Sequence, residues 1–105
     1  RYTVDPPLPD GLAHAVQRDA LRLARTIGCD TLARVDFLLD TQRGPRLLEV
    51  NTMPGFTSHS LLPMSAARAG LPMPALCAAL VDDAVQRHRH LQEPRLQASG
   101  LVRSD

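Results

Sequence analysis

The sequence contains no lysine, and all twelve of its basic residues are arginines. Eleven acidic residues balance them to a net charge of +1, which gives no electrostatic case for binding nucleic acid. No apolar run approaches the roughly 20 residues of a membrane-spanning helix, and no signal-peptide pattern is found. We therefore expect neither nucleic acid nor a membrane as a partner. Any chemistry that needs a lysine must come from another part of the protein.

Large side chains and cysteines are also scarce. The aromatic residues are Tyr2, Phe37 and Phe56, so a chain of 105 residues buries only a modest core by itself. The two cysteines, Cys29 and Cys77, stand alone and form neither a metal-binding nor a redox motif. We predict that both are buried as small hydrophobic residues, as free cysteines usually are.

The first half of the chain predicts one helix followed by two strands. Apolar residues recur at helical spacing behind Asp10, which is a suitable N-cap, and Gly28 stands where a C-terminal stop belongs. Residues 31–40 and 46–51 are rich in strand-forming residues, with turn material between them at 41–45. The short connection predicts a β-hairpin.

The second half predicts a loop and two helices. Ser58 or Ser60 can cap a short helix that stops at Gly70. Pro74 fits the first turn of a further helix that ends near His90. An apolar stripe along this last helix supports its assignment.

The order of helix, two strands and two helices is an α+β arrangement. A two-stranded hairpin is too small to be stable alone. We therefore expect the hairpin to extend a larger antiparallel sheet, supplied by an upstream part of the same polypeptide, and to be packed by helices. Residues 1–92 belong to this unit, whereas residues 93–105 carry little pattern, which predicts a flexible C-terminal tail.

Polar side chains gather on one face of the predicted hairpin. Side chains alternate faces along a strand, so Arg34 shares a face with Asp36, and Glu49 shares one with Asn51. With the turn centred near residues 42 and 43, Asp36 lies opposite Glu49 and Arg34 lies opposite Asn51. A slip of one residue would scatter this set over both faces. The opposite face, which we expect to be packed, carries Val35, Phe37, Leu48 and Val50.

Two facing carboxylates repel each other, so their clustering costs stability unless a cation lies between them. Oxygen ligands without His or Cys suit Mg²⁺ or Mn²⁺ better than zinc, and Mg²⁺ usually completes its shell with phosphates and water. The adjacent Arg34 is suited to bind an anion such as a phosphoryl group. This spacing predicts a magnesium–nucleotide site. The alternative is a solvent-exposed polar face on which Arg34 pairs with Asp36 or Glu49.

The segment 51–61 connects the second strand to the next helix and contains a Pro-Gly pair. Gly55 permits close approach of the backbone to a ligand. Several backbone N–H groups and a helix start follow, and together they can hold an anion such as a carboxylate. The alternative is an ordinary strand-to-helix loop.

Two segments resemble the D-alanine–D-alanine ligase family: 33–37 (Ala-Arg-Val-Asp-Phe) and 48–61 (Leu-Glu-Val-Asn-Thr-Met-Pro-Gly-Phe-Thr-Ser-His-Ser-Leu). The likeness runs from about residue 2 to about residue 87. Glu-Val-Asn alone is shared by many ATP-grasp enzymes, whereas the extension through Pro-Gly-x-Thr-x-His-Ser-Leu is much more specific. The resemblance implies that residues 1–92 are the C-terminal part of an ATP-grasp catalytic domain.

The resemblance also implies roles for individual residues. Two magnesium (or manganese) ions would be held against the phosphates of ATP by Asp36, Glu49 and Asn51. Arg34 would steady the transferred phosphoryl group and the tetrahedral intermediate, whose oxyanion the N–H of Gly55 would help to stabilise. Ser60 and Leu61 would hold the carboxylate of the second D-alanine. Leu48 would pack against adenine.

The implied reaction is the ATP-dependent joining of two D-alanine molecules through an acyl phosphate, for peptidoglycan precursor synthesis, in a cytoplasmic homodimer. The family's ATP-clamping lysines, adenine pocket and N-terminal domain lie upstream of the matching segment. We therefore expect a downstream piece of a longer polypeptide, broken at a mobile loop and inactive by itself. Two alternatives remain. One is a ligase that makes D-alanyl-D-lactate or acts on another carboxylate; the other is a non-catalytic fragment that binds metal or a partner protein.

Overall fold

Residues 1–92 are described by a computed structural model of the chain, in which they form three helices and one β-hairpin. In chain order the elements are α1 (Leu12–Thr26), β1 (Arg34–Asp40), β2 (Gly44–Asn51), α2 (Leu61–Arg68) and α3 (Met73–Gln92). This order confirms the predicted α+β arrangement. The tail predicted at residues 93–105 lies outside the described residues.

The start of α1 differs from the prediction that Asp10 is its N-cap. Gly11 is the N-cap, with a φ of 76° and a ψ of −12°. The N–H of Leu12 donates to the carbonyl of Pro9 over 3.1 Å, so residues 9–12 form a tight turn with Gly11 at its third position. These angles belong to a type II turn, which needs a positive φ there and therefore favours glycine. The turn moves the cap one residue beyond Asp10.

The same glycine-based motif closes α1 and α2. Gly28 has a φ of 75°, and its N–H and that of Cys29 donate to carbonyls of the last helical turn over 3.1 and 2.8 Å. Gly70, with a φ of 93°, and Leu71 repeat both bonds after α2. These Schellman motifs satisfy carbonyls that have no partner within the helix. The predicted stops at Gly28 and Gly70 are confirmed.

The two strands pair antiparallel around a short turn. Oδ1 of Asp40 accepts hydrogen bonds from the N–H groups of Gln42 (2.8 Å) and Arg43 (3.1 Å) and so closes the turn. Gly44 follows with a φ of 76°, the left-handed conformation that commonly ends three-residue hairpin loops. The turn is shorter than the predicted segment 41–45 because pairing already begins at Gly44.

The pairing register of the hairpin changes once, between its two ends. Near the open end Asp36 pairs with Glu49, as predicted. Toward the turn Phe37 pairs with Leu47, so the pairing skips Leu48 and leaves a β-bulge on β2. The prediction that Leu48 lies on a packed face is wrong for this reason, and its side chain is 62% exposed.

Little of the described chain is enclosed. Within residues 1–92, Leu76 is the one buried hydrophobic residue that belongs to a core, and it lies on α3, which packs against α2. The other buried positions are Pro54 and Pro63. The rest of the hairpin face that we expected to be packed is only partly buried, at Val35, Phe37 and Val50. The modest core predicted from the composition is confirmed.

The cysteines do not lie in the interior. Cys77 is exposed and Cys29 is partly buried, so the prediction that both are buried is wrong. Leu76 takes the buried side of α3, and consecutive side chains of a helix point about 100° apart, which turns Cys77 away from α2.

No single helix in the described part of the chain is long and apolar enough to cross a bilayer. The helices α2 and α3 meet those requirements only when taken together, as a pair bent by 103° at the break between them.

Candidate functional site

The central feature of the site is an ion cluster on the polar face of the hairpin. Nε of Arg34 donates to Oδ1 of Asp36 over 2.9 Å, and Nη2 donates to Oδ2 of Asp36 over 3.0 Å. The same Nη2 reaches Oε1 of Glu49 at 3.3 Å. This follows from the register, because Arg34 and Asp36 are two apart on β1 and Glu49 is the cross-strand partner of Asp36. The guanidinium therefore bridges two carboxylates.

The cluster is accessible from solvent. The side chains of Arg34 and Asp36 are 30% and 33% exposed, and that of Glu49 is 60% exposed. Exposed ion pairs contribute at most about 1 kcal/mol to stability, so folding alone gives a weak reason for grouping these charges. Two carboxylates against one guanidinium leave a formal negative charge uncompensated. The cluster can therefore attract a cation.

Hydrogen bonding to Arg34 holds the pKa of the Asp36 carboxyl below its ordinary value. Burial opposes this change, while the positive charge of Arg34 lowers the pKa of Asp36 further. In return, the hydrogen bond to Asp36 raises the pKa of Arg34. The Arg34–Asp36 pair is therefore fully ionised at neutral pH, and the Asp36 oxygens can serve as ligands.

The lowered pKa of Asp36 predicts a stability contribution that is lost in acid. A carboxyl whose pKa in the folded state lies below its unfolded value, about 3.9, stabilises the fold at any pH above that value. The contribution disappears as the pH falls through the folded-state pKa, because both states are then protonated. We expect Asp36→Asn to lower the melting temperature at neutral pH, and the difference from the parent protein to shrink below about pH 4. Melting curves recorded between about pH 3 and pH 7 check this; a constant difference would contradict it.

Asn51 ends the polar face at the open end of the hairpin. It is the cross-strand partner of Arg34, and its Oδ1 accepts a hydrogen bond from the N–H of Met53 over 3.0 Å. That bond fixes the orientation of the amide. A carbonyl oxygen has two lone pairs, so Oδ1 can bind a cation while it holds the N–H of Met53.

The donor set of this face fits a hard divalent cation. Within residues 1–92 no three His, Cys, Asp or Glu side chains gather so that they could hold a metal ion. The predicted ligands are instead two carboxylates, Asp36 and Glu49, and one amide, Asn51, all of which offer oxygen. Mg²⁺ is usually bound by one or two carboxylates, and phosphates and water complete its shell. These residues therefore fit a magnesium ion that is shared with a phosphate-bearing ligand.

The loop after β2 is folded around the hydroxyl of Ser60. The N–H of Thr57 donates to Oγ of Ser60 over 3.0 Å, and the two hydroxyl oxygens lie 2.9 Å apart. The N–H of Ser60 donates back to the carbonyl of Thr57 over 3.0 Å. Gly55 approaches the same hydroxyl so closely that a Cβ there would lie 3.0 Å from Oγ of Ser60. The loop thus brings Gly55 and Ser60 together.

The helix α2 begins directly after this loop. Ser60 is its N-cap, which settles the choice between Ser58 and Ser60, but the side chain makes no cap hydrogen bond. The N–H groups of the first turn, such as that of Leu61, have no intrahelical acceptor. The helix start therefore presents N–H groups and the positive end of its dipole, which suit an anion such as a carboxylate.

Leu48 offers apolar surface beside the ion cluster. Its position in the bulge leaves it 62% exposed, and its neighbour Leu47 is 48% exposed. Exposed leucine side chains beside charged residues can pack against a flat apolar group such as a nucleotide base. A separate open cavity of about 600 Å³ lies between the α1–β1 connection, the loop and α3, and none of the predicted site residues line it. The candidate site is therefore the open polar face and the loop, not this cavity.

Sequence reasoning missed two parts of this arrangement. Thr57 was not singled out, although Ser and Thr hydroxyls commonly bond to backbone groups two or three residues away in loops. The spacing of Thr57 and Ser60 could therefore have indicated their contact. The bulge at Leu48 had no such signal, since neither glycine nor a turn residue marks it.

The α+β unit matches the C-terminal part of a class of protein, the ATP-grasp ligases, through its structural similarity to a solved D-alanine–D-alanine ligase. A family model described as "D-ala D-ala ligase C-terminus" matches residues 1–82 of the chain. The chain therefore belongs to the D-alanine–D-alanine ligase family.

Individual relatives agree with this family. The chain is 44% identical over 84 residues to the D-alanine–D-alanine ligase of Bordetella avium (strain 197N), a match that covers 80% of this chain and 26% of the relative. It is 50% identical over 78 residues to that of Mycobacterium sp. (strain KMS), covering 74% and 21%. The Bacillus anthracis D-alanine–D-alanine ligase, solved in complex with ATP, matches with a TM-score of 0.74 and 32% identity over 81% of this chain and 30% of that chain. The chain thus spans roughly a quarter of the length of these relatives.

Proposed function

We propose that this chain supplies the phosphate-binding and second-substrate parts of the active site of an ATP-dependent D-alanine–D-alanine ligase. The observation that carries the proposal is the cluster of Arg34, Asp36 and Glu49 at the open end of the hairpin. The loop that leaves this end holds Gly55 against Ser60. The relatives are named D-alanine–D-alanine ligases, which supports D-alanine as the substrate. One of them was solved in complex with ATP, which supports ATP as the nucleotide.

On the phosphate side, Asp36, Glu49 and Asn51 hold Mg²⁺ or Mn²⁺, with two ions in the complete site. Bound there, the metal neutralises charge on the phosphates of ATP and orients them. Arg34 acts separately on the transferred phosphoryl group. Its contacts within residues 1–92 use Nε and Nη2, so Nη1 can donate to an anionic oxygen. The bidentate bond to Asp36 holds the guanidinium in a fixed plane while Nη1 binds the anion.

On the substrate side, the loop and the start of α2 receive the second D-alanine. Its carboxylate is bound by the hydroxyl of Ser60 and the backbone N–H of Leu61. The N–H of Gly55 faces the oxyanion that forms when the second D-alanine attacks. Leu48 packs against adenine with its exposed side chain.

The proposed reaction has two steps. A carboxylate oxygen of the first D-alanine attacks the γ-phosphorus of ATP. The bond between the γ-phosphorus and the β,γ-bridging oxygen breaks, so ADP departs and an acyl phosphate is formed. The amine of the second D-alanine attacks the acyl carbon, loses a proton and displaces phosphate, which yields D-alanyl-D-alanine for peptidoglycan precursors. The residues of this chain form no covalent bond in either step. They position the reactants and offset charge, which is what phosphoryl transfer needs most.

Further parts of the site belong to other residues of the same polypeptide. The chain spans roughly a quarter of the length of its relatives and contains no lysine. We propose that the lysines that clamp ATP, the rest of the adenine pocket and the site of the first D-alanine lie outside this chain. The 105 residues alone are then inactive, and the complete protein acts as a cytoplasmic homodimer.

Phosphate release from Mg-ATP by the complete gene product tests this function. We expect release that depends on D-alanine and that yields one phosphate for each dipeptide formed. Release that requires D-lactate, or another D-hydroxy acid, together with D-alanine would replace the proposed product with that of the alternative ligase. A folded product that releases no phosphate with any D-amino or D-hydroxy acid would overturn the proposal and leave the ion cluster a structural or metal-binding feature.

A further inference from the structure

We propose that Thr57 is a positioning residue for the second substrate, because it holds the hydroxyl of Ser60 as a hydrogen-bond donor. The inference rests on the proposed role of Ser60 in binding a carboxylate. It adds a residue to that site and a physical reason why the serine hydroxyl is available there. Ser60 is partly buried and Thr57 is exposed, so a small ligand can reach both side chains.

The first step of the argument concerns what Ser60 does not do. A serine N-cap usually accepts a hydrogen bond from the N–H of the second or third helical residue. Here the third helical residue is Pro63, which has no N–H, and Ser60 makes no cap hydrogen bond. The hydroxyl is held by the N–H of Thr57 instead. Both the hydroxyl and the first N–H groups of α2 therefore stay available to a ligand.

The second step concerns the direction of the hydrogen bonds. The Ser60 hydroxyl has one O–H and two lone pairs, and the N–H of Thr57 occupies one lone pair. The N–H of His59 donates to Oγ1 of Thr57 over 3.4 Å, and the hydroxyl oxygens of Thr57 and Ser60 lie 2.9 Å apart, so either hydroxyl can donate to the other. In the arrangement in which Thr57 donates, both lone pairs of Ser60 are occupied and its O–H is free to point to another acceptor.

The third step matches this arrangement to the ligand. A carboxylate only accepts hydrogen bonds, so it needs Ser60 as a donor. Its binding selects the arrangement in which Thr57 donates to Ser60, because the reverse arrangement uses the O–H that the carboxylate needs. Gly55 restricts the position of the hydroxyl further, since a Cβ there would lie 3.0 Å from Oγ of Ser60. Thr57 therefore sets the direction of the Ser60 O–H, and the backbone at Gly55 limits where the Ser60 oxygen can lie.

The test is steady-state kinetics of the complete ligase with Thr57→Val, which keeps the size and the backbone N–H but lacks the hydroxyl. We expect the KM for the second D-alanine to rise about tenfold, since the hydrogen bond between the Thr57 and Ser60 hydroxyls is lost, while the KM for ATP stays unchanged. Thr57→Ser keeps the hydroxyl and should stay within about twofold of the parent protein. Ser58→Ala is the matched control, because it removes a neighbouring hydroxyl whose hydrogen bond within the described residues is to Nδ1 of the His59 ring, at 3.0 Å, and not to Ser60.

A double-mutant cycle separates positioning from a merely structural role. If Thr57 acts through Ser60, Thr57→Val should have no further effect on the KM for D-alanine in a Ser60→Ala background. An effect that persists in that background, an equal loss in Thr57→Ser, or a parallel rise in the KM for ATP would overturn the inference. If the parent ligase itself shows no release dependent on D-alanine, the proposed function fails and the inference fails with it. If the parent ligase is active and its Thr57→Val variant has the same KM for D-alanine, the inference is wrong but the proposed function stands.

Discussion

Replacing Asp36 or Glu49 by alanine in the complete gene product is expected to lower D-alanine-dependent phosphate release by at least about 100-fold, with a stronger requirement for Mg²⁺. Each change removes one of the two carboxylates that face each other across the hairpin. The remaining carboxylate then faces Arg34 alone, and the formal negative charge that we propose attracts a cation is gone. Phosphate release measured against Mg²⁺ concentration checks the expectation.

The two variants differ in what they do to Arg34, and this difference sharpens the test. Glu49→Ala leaves both bonds between Arg34 and Asp36 in place, whereas Asp36→Ala removes them. If activity falls mainly because the metal binds more weakly, added Mg²⁺ should increase phosphate release by both variants. If Asp36 matters mainly as a partner of Arg34, added Mg²⁺ should increase phosphate release only by Glu49→Ala.

Asp40→Asn is the matched control for these variants. Asp40 is a carboxylate of the same hairpin, but its Oδ1 only accepts N–H bonds of the turn, which an asparagine oxygen also accepts. We expect this variant to keep the parent activity. Folded Asp36→Ala and Glu49→Ala proteins with full activity at low Mg²⁺ would contradict the metal assignment and would leave the cluster as an exposed ion pair network.

The polar face of the hairpin could be predicted because strand geometry leaves little choice. Side chains alternate along a strand, so Arg34 and Asp36 had to share a face, and only one register places Glu49 beside them. The glycine stops at Gly28 and Gly70 were predictable for a similar reason, since few other residues adopt a left-handed φ without strain. These features depend on local rules that tertiary contacts rarely override.

The errors arose where two local rules compete or where packing decides. Asp10 is a good N-cap residue, but the glycine after it permits a type II turn that begins the helix one residue later. The bulge at Leu48 inserts one residue without a glycine to mark it, so alternation alone assigned that side chain to the wrong face. Which apolar surfaces become covered depends on what packs against them, and the described chain leaves the leucines of the hairpin largely exposed.

The chemistry of the site was less predictable than its geometry. Spacing alone allowed both a magnesium site and a structural ion pair, and the bonds from Arg34 to Asp36 and Glu49 are compatible with either. The arginine can hold the two carboxylates in place and still act on an anion, because a guanidinium has five N–H donors. Substitution of the arginine itself therefore separates the two interpretations most directly.

Arg34→Lys is expected to lower kcat of the complete ligase by about 100- to 1,000-fold, with a small change in the KM for ATP. Lysine keeps the positive charge, but its single ammonium group cannot form the bidentate bond to Asp36, reach Glu49 and donate to an anion in one fixed plane. The interaction that we propose between Arg34 and the transferred phosphoryl group is strongest in the transition state, so its loss should fall mainly on kcat. Steady-state kinetics with ATP as the varied substrate measure both constants.

Arg46→Lys provides the comparison that decides what this loss means. Arg46 is an exposed arginine of the same hairpin that pairs with Leu38 and forms no salt bridge within residues 1–92. A lysine there should leave kcat within about twofold of the parent, as expected for a surface substitution away from the site. If Arg34→Lys were equally harmless, the charge of Arg34 alone would suffice and its role would be to balance the carboxylates. A loss confined to Arg34→Lys requires the planar, two-pronged guanidinium, which a purely structural cluster of exposed charges does not need.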